Sequence, residues 1–245
     1  MDAVLLQRLS QITEEERELL QGRGVDRALY ASGRAFEVDA AKMLEKGKLM
    51  SIRPHTRFAP FPRHSHNYVE IMYMCRGKTV HRIDGDALVT LEAGELLFLN
   101  RHASHAIQRA DAGDIAVNFI VLPQFFDEAF NMAGMDNVLS RFLLGELYTG
   151  GAAVSYLHFR VREVLPVQNL VENMVWTLVN RQPGARRINQ VTMGLLLLQL
   201  MHYTECIDMS RNGSIRSPMV EASVESVMAI PSFTSRVAMY VSPYL

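Results

Sequence analysis

The sequence predicts a mixed α+β fold in which a small antiparallel β-barrel or jelly roll lies between helical segments. Short runs of β-forming residues follow one another between residues 49 and 122 and break at turn sequences such as Asp84-Gly85. Several short strands within about seventy residues are typical of a barrel or jelly roll. The flanking segments instead repeat apolar residues at helical spacing, which predicts helices on both sides of the strands.

Composition and charge limit the classes of function. The 245 residues carry 25 Lys+Arg against 26 Asp+Glu, so the chain as a whole lacks a strongly basic nucleic-acid footprint. Two cysteines, Cys75 and Cys206, fit a reducing compartment. The first residues have no signal-peptide layout, and the longest apolar stretch, residues 193–201, is too short to cross a bilayer. We therefore expect a cytoplasmic protein without a membrane partner.

Residues 1–48 are predicted to form a helical arm, and residues 49–124 the β-barrel. Thr13 and Glu16 have the spacing of a capping box at a helix start, and Gly22 is placed to end that helix. Because the arm has little apolar surface of its own, we expect it to pack on the rest of the chain. Prolines interrupt the first β-like run of the barrel, which suits a sheet edge.

Residues 125–207 are predicted to be a helical region that ends in a helical hairpin. Pro183-Gly184 suits the turn between two long helices, and the second helix is apolar nearly all round. In the first helix, Leu170, Met174 and Leu178 form an apolar stripe. This stripe either packs on the barrel or forms a subunit seam; because two such helices exceed what one small barrel can cover, we expect it to form part of a homodimer seam.

His64, His66, Glu70 and His105 form the densest group of residues that could carry chemistry. Histidines at i and i+2 point to one face of a strand, the glutamate four residues on is expected to share that face, and His105 arrives from a later strand. Converging imidazoles and a carboxylate suit a divalent metal such as Fe, Mn, Ni or Zn. The alternative is a polar cluster that orients an organic effector or is satisfied internally.

Further candidates for the wall of an effector pocket are Arg53, Arg57, Tyr73 and Phe98. The two arginines could meet an anionic effector, although arginines on such a run are more often solvated. The two aromatic residues lie on barrel strands, where they line a pocket or pack in the core. Isolated histidines are expected at the surface or the rim, with a place in the effector pocket as the less frequent alternative, and these are His55, His81 and His102.

Two motifs carry a resemblance to a known superfamily. The pattern HxHxxxE at residues 64–70, followed after six residues by Gly77, resembles the first motif of the cupin superfamily. GELLFLNRHASH at residues 94–105 is similar to the second motif. Phe58 and Arg109 stand where the two motifs have glycine and asparagine. The resemblance implies a cupin-type barrel, the double-stranded β-helix, for residues 49–124.

The order of segments resembles AraC-type transcriptional regulators over roughly residues 1–230. In that family the N-terminal cupin barrel binds a small-molecule effector and helps the chain dimerise, and a separate C-terminal module with two helix-turn-helix units binds DNA. The resemblance implies that this chain is a homodimeric regulator that binds an effector and is not an enzyme.

The last segment, residues 208–245, resembles a linker followed by the remnant of a helix-turn-helix module, with Ser242 and Tyr244 as remnant DNA-binding residues. We therefore expect DNA binding to be weak or lost unless a complete module is present. A competing interpretation is a stand-alone metal-dependent cupin enzyme, such as a dioxygenase or an isomerase. A third is a shortened regulator that forms inactive mixed dimers with a full-length relative.

Overall fold

Two β-sheets pack face to face in this computed structural model, which describes residues 1–149 and 151–209. The strands are β1 (Glu37–Val38), β2 (Met50–Pro54), β3 (Phe61–His66), β4 (Val69–Arg76), β5 (Lys78–Ile83), β6 (Ala87–Glu92), β7 (Leu96–Leu99), β8 (Ser104–Ile107), β9 (Ile115–Val121), β10 (Tyr148–Thr149), β11 (Ala152–Ala153), β12 (Tyr156–Phe159) and β13 (Ile207–Met209). The α-helices are α1 (Ala3–Leu9), α2 (Glu14–Leu20), α3 (Ala40–Met43), α4 (Asp127–Ala133), α5 (Val138–Leu144), α6 (Leu165–Val179) and α7 (Ala185–Leu200). Short 3-10 helices span Arg27–Leu29, Pro123–Phe126 and Met201–Cys206.

The sheets follow the topology of a jelly roll. One sheet has the strand order β1-β3-β8-β5-β6, and the other has the order β13-β12-β7-β4-β9-β2. Neighbouring strands are antiparallel except β1 and β3, which are parallel. Strands β10 and β11 pair as a separate antiparallel ribbon. The predicted α+β class is confirmed, with a barrel-like jelly roll between an N-terminal helical arm and C-terminal helices.

The six-stranded sheet is buried on both faces, and strand β4 shows how its side chains divide. Met72 and Met74 point between the two sheets, together with Glu70, which shares their parity. Ile71 and Tyr73 point to the helices outside the sheet. Successive side chains of a strand alternate between its two faces, so a strand between two layers reads as a nearly continuous apolar run.

Tyr73 and Phe98 pack in the outer core and do not line the barrel interior, which corrects their candidacy as pocket residues. The Tyr73 hydroxyl donates a hydrogen bond to Oε1 of Gln168 on α6 at 2.6 Å. Phe98 lies opposite Ile71 in the β4–β7 register and meets the ring of Phe159 edge-on at 5.3 Å between centroids. Residues opposite each other on neighbouring strands share a face, so parity puts both rings on the side of the helices.

The region 125–207 is not wholly helical, which corrects the prediction for it. Strand β12 pairs with β7, and β13 pairs with β12, so both strands extend the six-stranded sheet. All of β12 is buried, and its sequence YLHF lacks the polar alternation that marks a half-exposed strand. A short apolar run fits a buried strand or a buried helix equally well. The barrel therefore continues past residue 124.

The arm, residues 1–48, contains the predicted capping box at the start of α2. The Thr13 side chain accepts a hydrogen bond from the Glu16 backbone, and the Glu16 carboxylate accepts one from the Thr13 backbone N–H at 2.9 Å. Helix α2 ends before Gly22, whose φ of +86° lies in the left-handed region that glycine adopts without strain. The arm continues through α3 and joins the five-stranded sheet through β1.

A buried ion pair holds the arm on the barrel. Arg57 Nε donates to Glu16 Oε1 at 2.6 Å, and Arg57 Nη2 donates to Glu16 Oε2 at 2.8 Å. The other guanidinium hydrogen bonds reach the carbonyl oxygens of Ser10, Gln11 and Ala112. Burial by itself raises the pKa of Glu16, but hydrogen bonds from Arg57 and the backbone hold that pKa below its usual value. Arg57 therefore binds the arm and does not line a pocket, which corrects its candidacy.

The predicted dimer stripe on α6 faces the chain's own core. Met174 is fully buried between α6 and the rest of the molecule, and Leu170 and Leu178 are half-buried against the same core. Met174 is therefore not available to a partner subunit, which corrects the predicted seam. Within the described part of the chain, the helices lack the length and hydropathy of a transmembrane segment.

We expect Arg57→Ala to lower the free energy of unfolding by about 3 to 5 kcal/mol, because the substitution leaves the Glu16 carboxylate buried without its cation. Arg17→Ala is the matched control, since the Arg17–Glu14 pair is largely exposed. Urea unfolding of both variants measures the difference. Equal losses of stability would contradict a special role for the buried pair.

Candidate functional site

A small cavity lies inside the jelly roll where the arm meets the barrel. Its volume is about 40 Å³, and a larger groove of about 350 Å³ adjoins it along the arm. Arg53 and His55 line both spaces, so the groove leads toward the cavity. The cavity wall combines residues of the arm, such as Tyr30, with barrel residues, such as His64 and Glu70.

The predicted histidines converge beside this cavity. His64 of β3 lies opposite His105 of β8 in the strand register, and their ring centroids are 4.2 Å apart. His66 points the same way as His64, with its ring centroid 5.9 Å from that of His105. All these imidazoles are buried. The structure thus brings together the histidines that spacing alone suggested.

Glu70 reaches the histidines from the opposite sheet. The chain leaves β3 at Asn67, and β4 carries Glu70 in the six-stranded sheet, so the carboxylate faces the histidines instead of sharing their strand. Glu70 Oε2 lies 3.4 Å from His105 Nε2 and 4.0 Å from His66 Nε2. Both distances exceed a good hydrogen bond. The sequence correctly predicted that Glu70 lies near the histidines. It did not predict that Glu70 lies on the opposite sheet from His64 and His66.

Sequence reasoning missed further polar residues at the site. His55 and His81 are buried against the cluster, although they were expected at the surface or rim. His81 shares the inward parity of Thr79 and Ile83 in β5, and this alternation was a usable signal. His55 follows Pro54 at the end of β2, where alternation stops and no periodic signal remains. Asn118, on β9, is a half-buried polar residue that also lines the cavity.

Hydrogen bonds fix the direction of several of these groups. An ionised carboxylate only accepts, so the 2.9 Å contact between Asn118 and Glu70 Oε1 comes from the Asn118 amide nitrogen. The Asn118 oxygen then faces His55 Nδ1 at 3.2 Å and accepts from it. A neutral His55 ring therefore carries its proton on Nδ1 and a lone pair on Nε2.

His64 and His66 have the same orientation for a similar reason. The Nδ1 atom of His64 lies 2.9 Å from the Pro62 carbonyl oxygen, and that of His66 lies 2.8 Å from the Tyr68 carbonyl oxygen. A carbonyl oxygen only accepts, so Nδ1 is the donor in both rings. Their Nε2 atoms therefore carry lone pairs when the rings are neutral.

Burial keeps these rings neutral. It lowers the pKa of His64 to about 3 and lowers the pKa of His55, His66 and His81 below the usual 6.5. Burial by itself raises the pKa of Glu70, but its interactions with His105, His66 and His64 outweigh burial and hold that pKa below the usual value. His55, His64, His66 and His81 are therefore neutral at neutral pH, beside the ionised Glu70 carboxylate.

Several buried polar atoms of the cluster have no hydrogen-bond partner. They are His55 Nε2, His66 Nε2, Glu70 Oε2, His81 Nδ1, and Nδ1 and Nε2 of His105. Buried polar groups in proteins are almost always paired, so such a group of orphans indicates a site for a ligand, an ion or water. Among the described residues, His64, Glu70 and His105 offer ligand atoms within 4.8 Å of one another, a donor set that fits a divalent metal.

Arg53 is the candidate pocket residue that does line the cavity. Its Nη2 atom lies 3.2 Å from Glu15 Oε2, and its guanidinium lies over the ring of Tyr30 at 4.9 Å. The remaining predicted site residues, Ser242 and Tyr244, lie outside the described residues.

Comparisons with known proteins place this site in a matched region. A family profile described as "AraC-like ligand binding domain" matches residues 51–130. An apo variant of ToxT from Vibrio cholerae is 12% identical, with a TM-score of 0.49, and the match covers 70% of this chain and 62% of that chain. ToxT from the same organism with bound unsaturated fatty acid is 10% identical, with a TM-score of 0.42 and coverages of 64% and 54%.

A cupin protein from Bacteroides fragilis is 28% identical, with a TM-score of 0.25, over 30% of this chain and 64% of that chain. This chain thus spans less than two thirds of the length of each of these three structures. No curated protein matches the sequence.

We expect the free energy of unfolding to fall as the pH drops from 7 toward 4. The unfolded chain takes up a proton at each histidine near pH 6.5, whereas the buried rings stay neutral to lower pH, so stability present above pH 6.5 is lost on acidification. Each such ring contributes a slope of about 1.4 kcal/mol per pH unit between its two pKa values.

Urea unfolding at a series of pH values measures this slope. His81→Gln is expected to lower the slope by about one proton relative to the wild type. His102→Gln serves as the control, because His102 is exposed. A slope that His102→Gln lowers as much as His81→Gln would contradict the assignment to the buried cluster.

Proposed function

We propose that this chain is the effector-sensing part of an AraC-type transcriptional regulator. The observation that carries the proposal is the position of the matched ligand-binding region, residues 51–130, which supplies most of the cavity wall and its orphaned polar atoms. A cavity with a few converging polar groups among aromatic and aliphatic side chains is the usual form of a small-molecule site. In this proposal the barrel binds an effector and does not turn it over.

In this proposal the arm couples the binding of an effector in the barrel to a change in the rest of the protein. Tyr30, Val38 and Met43 belong to the arm and line the cavity, so an effector touches the arm and the barrel together. Val38 pairs with His66 in the parallel β1–β3 register, which ties the arm to the strand that carries two of the histidines. An effector shifts the arm only if it binds one arrangement of arm and barrel better than the other.

Control of transcription is the second half of the proposal. AraC-type regulators contact DNA through a helix-turn-helix module, and the residues that resemble part of one lie outside the described residues. We therefore propose that the chain acts in the cytoplasm on DNA wherever a complete module accompanies the barrel, in this polypeptide or in a partner chain.

The test uses the full chain and small-molecule extracts of its host. Native mass spectrometry is expected to find one small molecule retained per chain, and Tyr30→Ala is expected to lose it. Gel-shift titration with DNA upstream of the gene then asks whether the retained molecule changes DNA affinity. If no extract component binds, or if binding survives both Tyr30→Ala and Glu70→Gln, the cavity is not an effector site.

A second candidate function is a metal-dependent cupin enzyme, which the donor set His64, Glu70 and His105 favours. When bound, a divalent ion supplies Lewis-acid chemistry to a substrate oxygen. The chain's own residues would hold the ion through one ring nitrogen each of His64 and His105 and through the Glu70 carboxylate. Metal analysis of untagged protein tests this candidate, since stoichiometric Fe, Mn or Ni that is lost in His105→Ala together with a turnover would favour the enzyme.

We propose that the chain forms a homodimer through α7 and not through the α6 stripe. Ile188, Val191 and Leu195 are 47%, 37% and 43% exposed and lie at i, i+3 and i+7, on one face of the helix. Exposed apolar residues that share a helix face suit a subunit seam. The opposite face of α7 is buried against α4 and α6 and is not available for this purpose.

Substituting the exposed face tests the seam. We expect Ile188→Glu combined with Leu195→Glu to shift the protein from dimer to monomer in sedimentation velocity, because two charges would be desolvated at the interface. Leu88→Glu is the matched control, since Leu88 is 58% exposed and lies on β6. A double variant that stays dimeric, or a wild-type protein that is monomeric at micromolar concentration, would contradict the proposed seam.

A further inference from the structure

The chemical class of the effector can be inferred from the polarity of the cavity wall. His55, His64 and Glu70 line the cavity, and each is at least nine-tenths buried. The hydrogen bonds of His55 and His64 place their protons on Nδ1, so Nε2 of each ring accepts. Glu70 Oε1 accepts from Asn118, and Glu70 Oε2 has no partner. Three acceptors from the two sheets therefore line the same cavity.

Three donors of the cavity wall, on Arg53, Tyr30 and Asn118, are already engaged. Arg53, the one cationic side chain among the residues that line the cavity, pairs with Glu15 at 3.2 Å. The Tyr30 hydroxyl donates to the same Glu15 carboxylate. The Asn118 amide nitrogen donates to Glu70. An anionic head group in this cavity would lie against the Glu70 carboxylate and the lone pairs of the imidazoles. No unpaired cationic side chain of the cavity wall would compensate its charge, which is unfavourable in a buried site.

We propose that the effector is a small organic cation, a primary amine with a short apolar body, whose ammonium group binds Glu70, His55 and His64. The inference rests on the proposed sensing function and names the ligand class of that same site. An ammonium group has three donors and no acceptor, so it complements the three acceptors that line the cavity. Its charge compensates the buried Glu70 carboxylate, and charge-assisted hydrogen bonds are the stronger kind.

The aromatic residues of the wall fit the rest of such a molecule. Tyr30, Phe61 and Tyr68 line the cavity and offer ring faces and edges to an alkyl chain or to the cation itself. The cavity of about 40 Å³ accepts the head group, and the groove of about 350 Å³ accepts a short body that extends toward the arm. A metal ion alone would leave this apolar surface without a function.

Three molecules of similar shape test the class. Butylamine is a cation, 1-butanol is neutral and butyrate is an anion at pH 7.5. Isothermal titration calorimetry of the full chain in EDTA is expected to show butylamine binding at least about ten-fold more tightly than the other two, because it alone supplies charge and donors to Glu70. Glu70→Gln is expected to abolish that preference, whereas Glu95→Gln removes a carboxylate outside the cavity and is expected to keep it.

The outcomes separate the ligand class from the sensing function. Tighter binding of 1-butanol or butyrate would overturn the amine while leaving a small-molecule sensor in place. Absence of binding by all three would also overturn the amine, and the extract experiment above would still decide whether the cavity senses anything. Stoichiometric Zn²⁺ that excludes butylamine in EDTA-free buffer would assign the site to a metal. If Glu70→Gln does not fold, the wild-type comparison of the three molecules decides the class by itself.

Discussion

Burial of the six-stranded sheet on both faces is the constraint on which the other features depend. Side chains of one parity pack under the helices, and side chains of the other parity face the second sheet. A register shift of one residue in β4 would exchange Glu70 with Ile71, placing a carboxylate in the outer core and an apolar side chain at the cavity. The same alternation that builds the two cores therefore places the chemistry, and neither can change independently.

The interior of the jelly roll is polar at the end that meets the arm and apolar at the other. Met72, Met74 and Leu97 fill the apolar end, and the histidines gather around Glu70 at the polar end. Such a cluster destabilises the folded protein, because unpaired buried polar groups cost free energy. Proteins tolerate this cost at binding sites, where a ligand supplies the missing partners. The larger apolar core around α6 and α7 stabilises the fold that carries the site.

Local signals in the sequence were sufficient for the fold class and for part of the site. The capping box at Thr13 and the Asp84-Gly85 turn depend on neighbouring residues, and both occur as predicted; Asp84 and Gly85 have φ of +50° and +95°. His64, His66 and His105 were found because i, i+2 spacing and strand pairing determine where such side chains point. Local patterns suffice where the governing physics is local.

The rest depended on contacts between distant segments. Arg57 binds the arm because it forms an ion pair with Glu16, which lies 41 residues away in sequence. No pattern in the residues near Arg57 predicts this pair. Strand β12 is buried throughout, so its four residues show no alternation between exposed and buried positions that would mark a strand. The apolar stripe of α6 was expected to exceed what one small barrel could cover. The sequence did not show that the six-stranded sheet has an apolar outer face, which this stripe covers. His55 has no periodic neighbour, and only the cavity explains its burial.

Two of the contacts that hold the arm lie on either side of Tyr30, and they limit how that part of the arm can move. Helix α2 is anchored by the Glu16–Arg57 pair, and β1 is hydrogen-bonded to β3. The segment between them, which holds Tyr30 against the cavity, is a span tethered at both ends. When a ligand binds beneath this segment, we expect the segment to shift outward while both of its ends stay attached. Detaching the arm from the barrel would require breaking a buried ion pair. The displaced surface would be the short turn of helix at Arg27–Leu29, where Leu29 is already exposed.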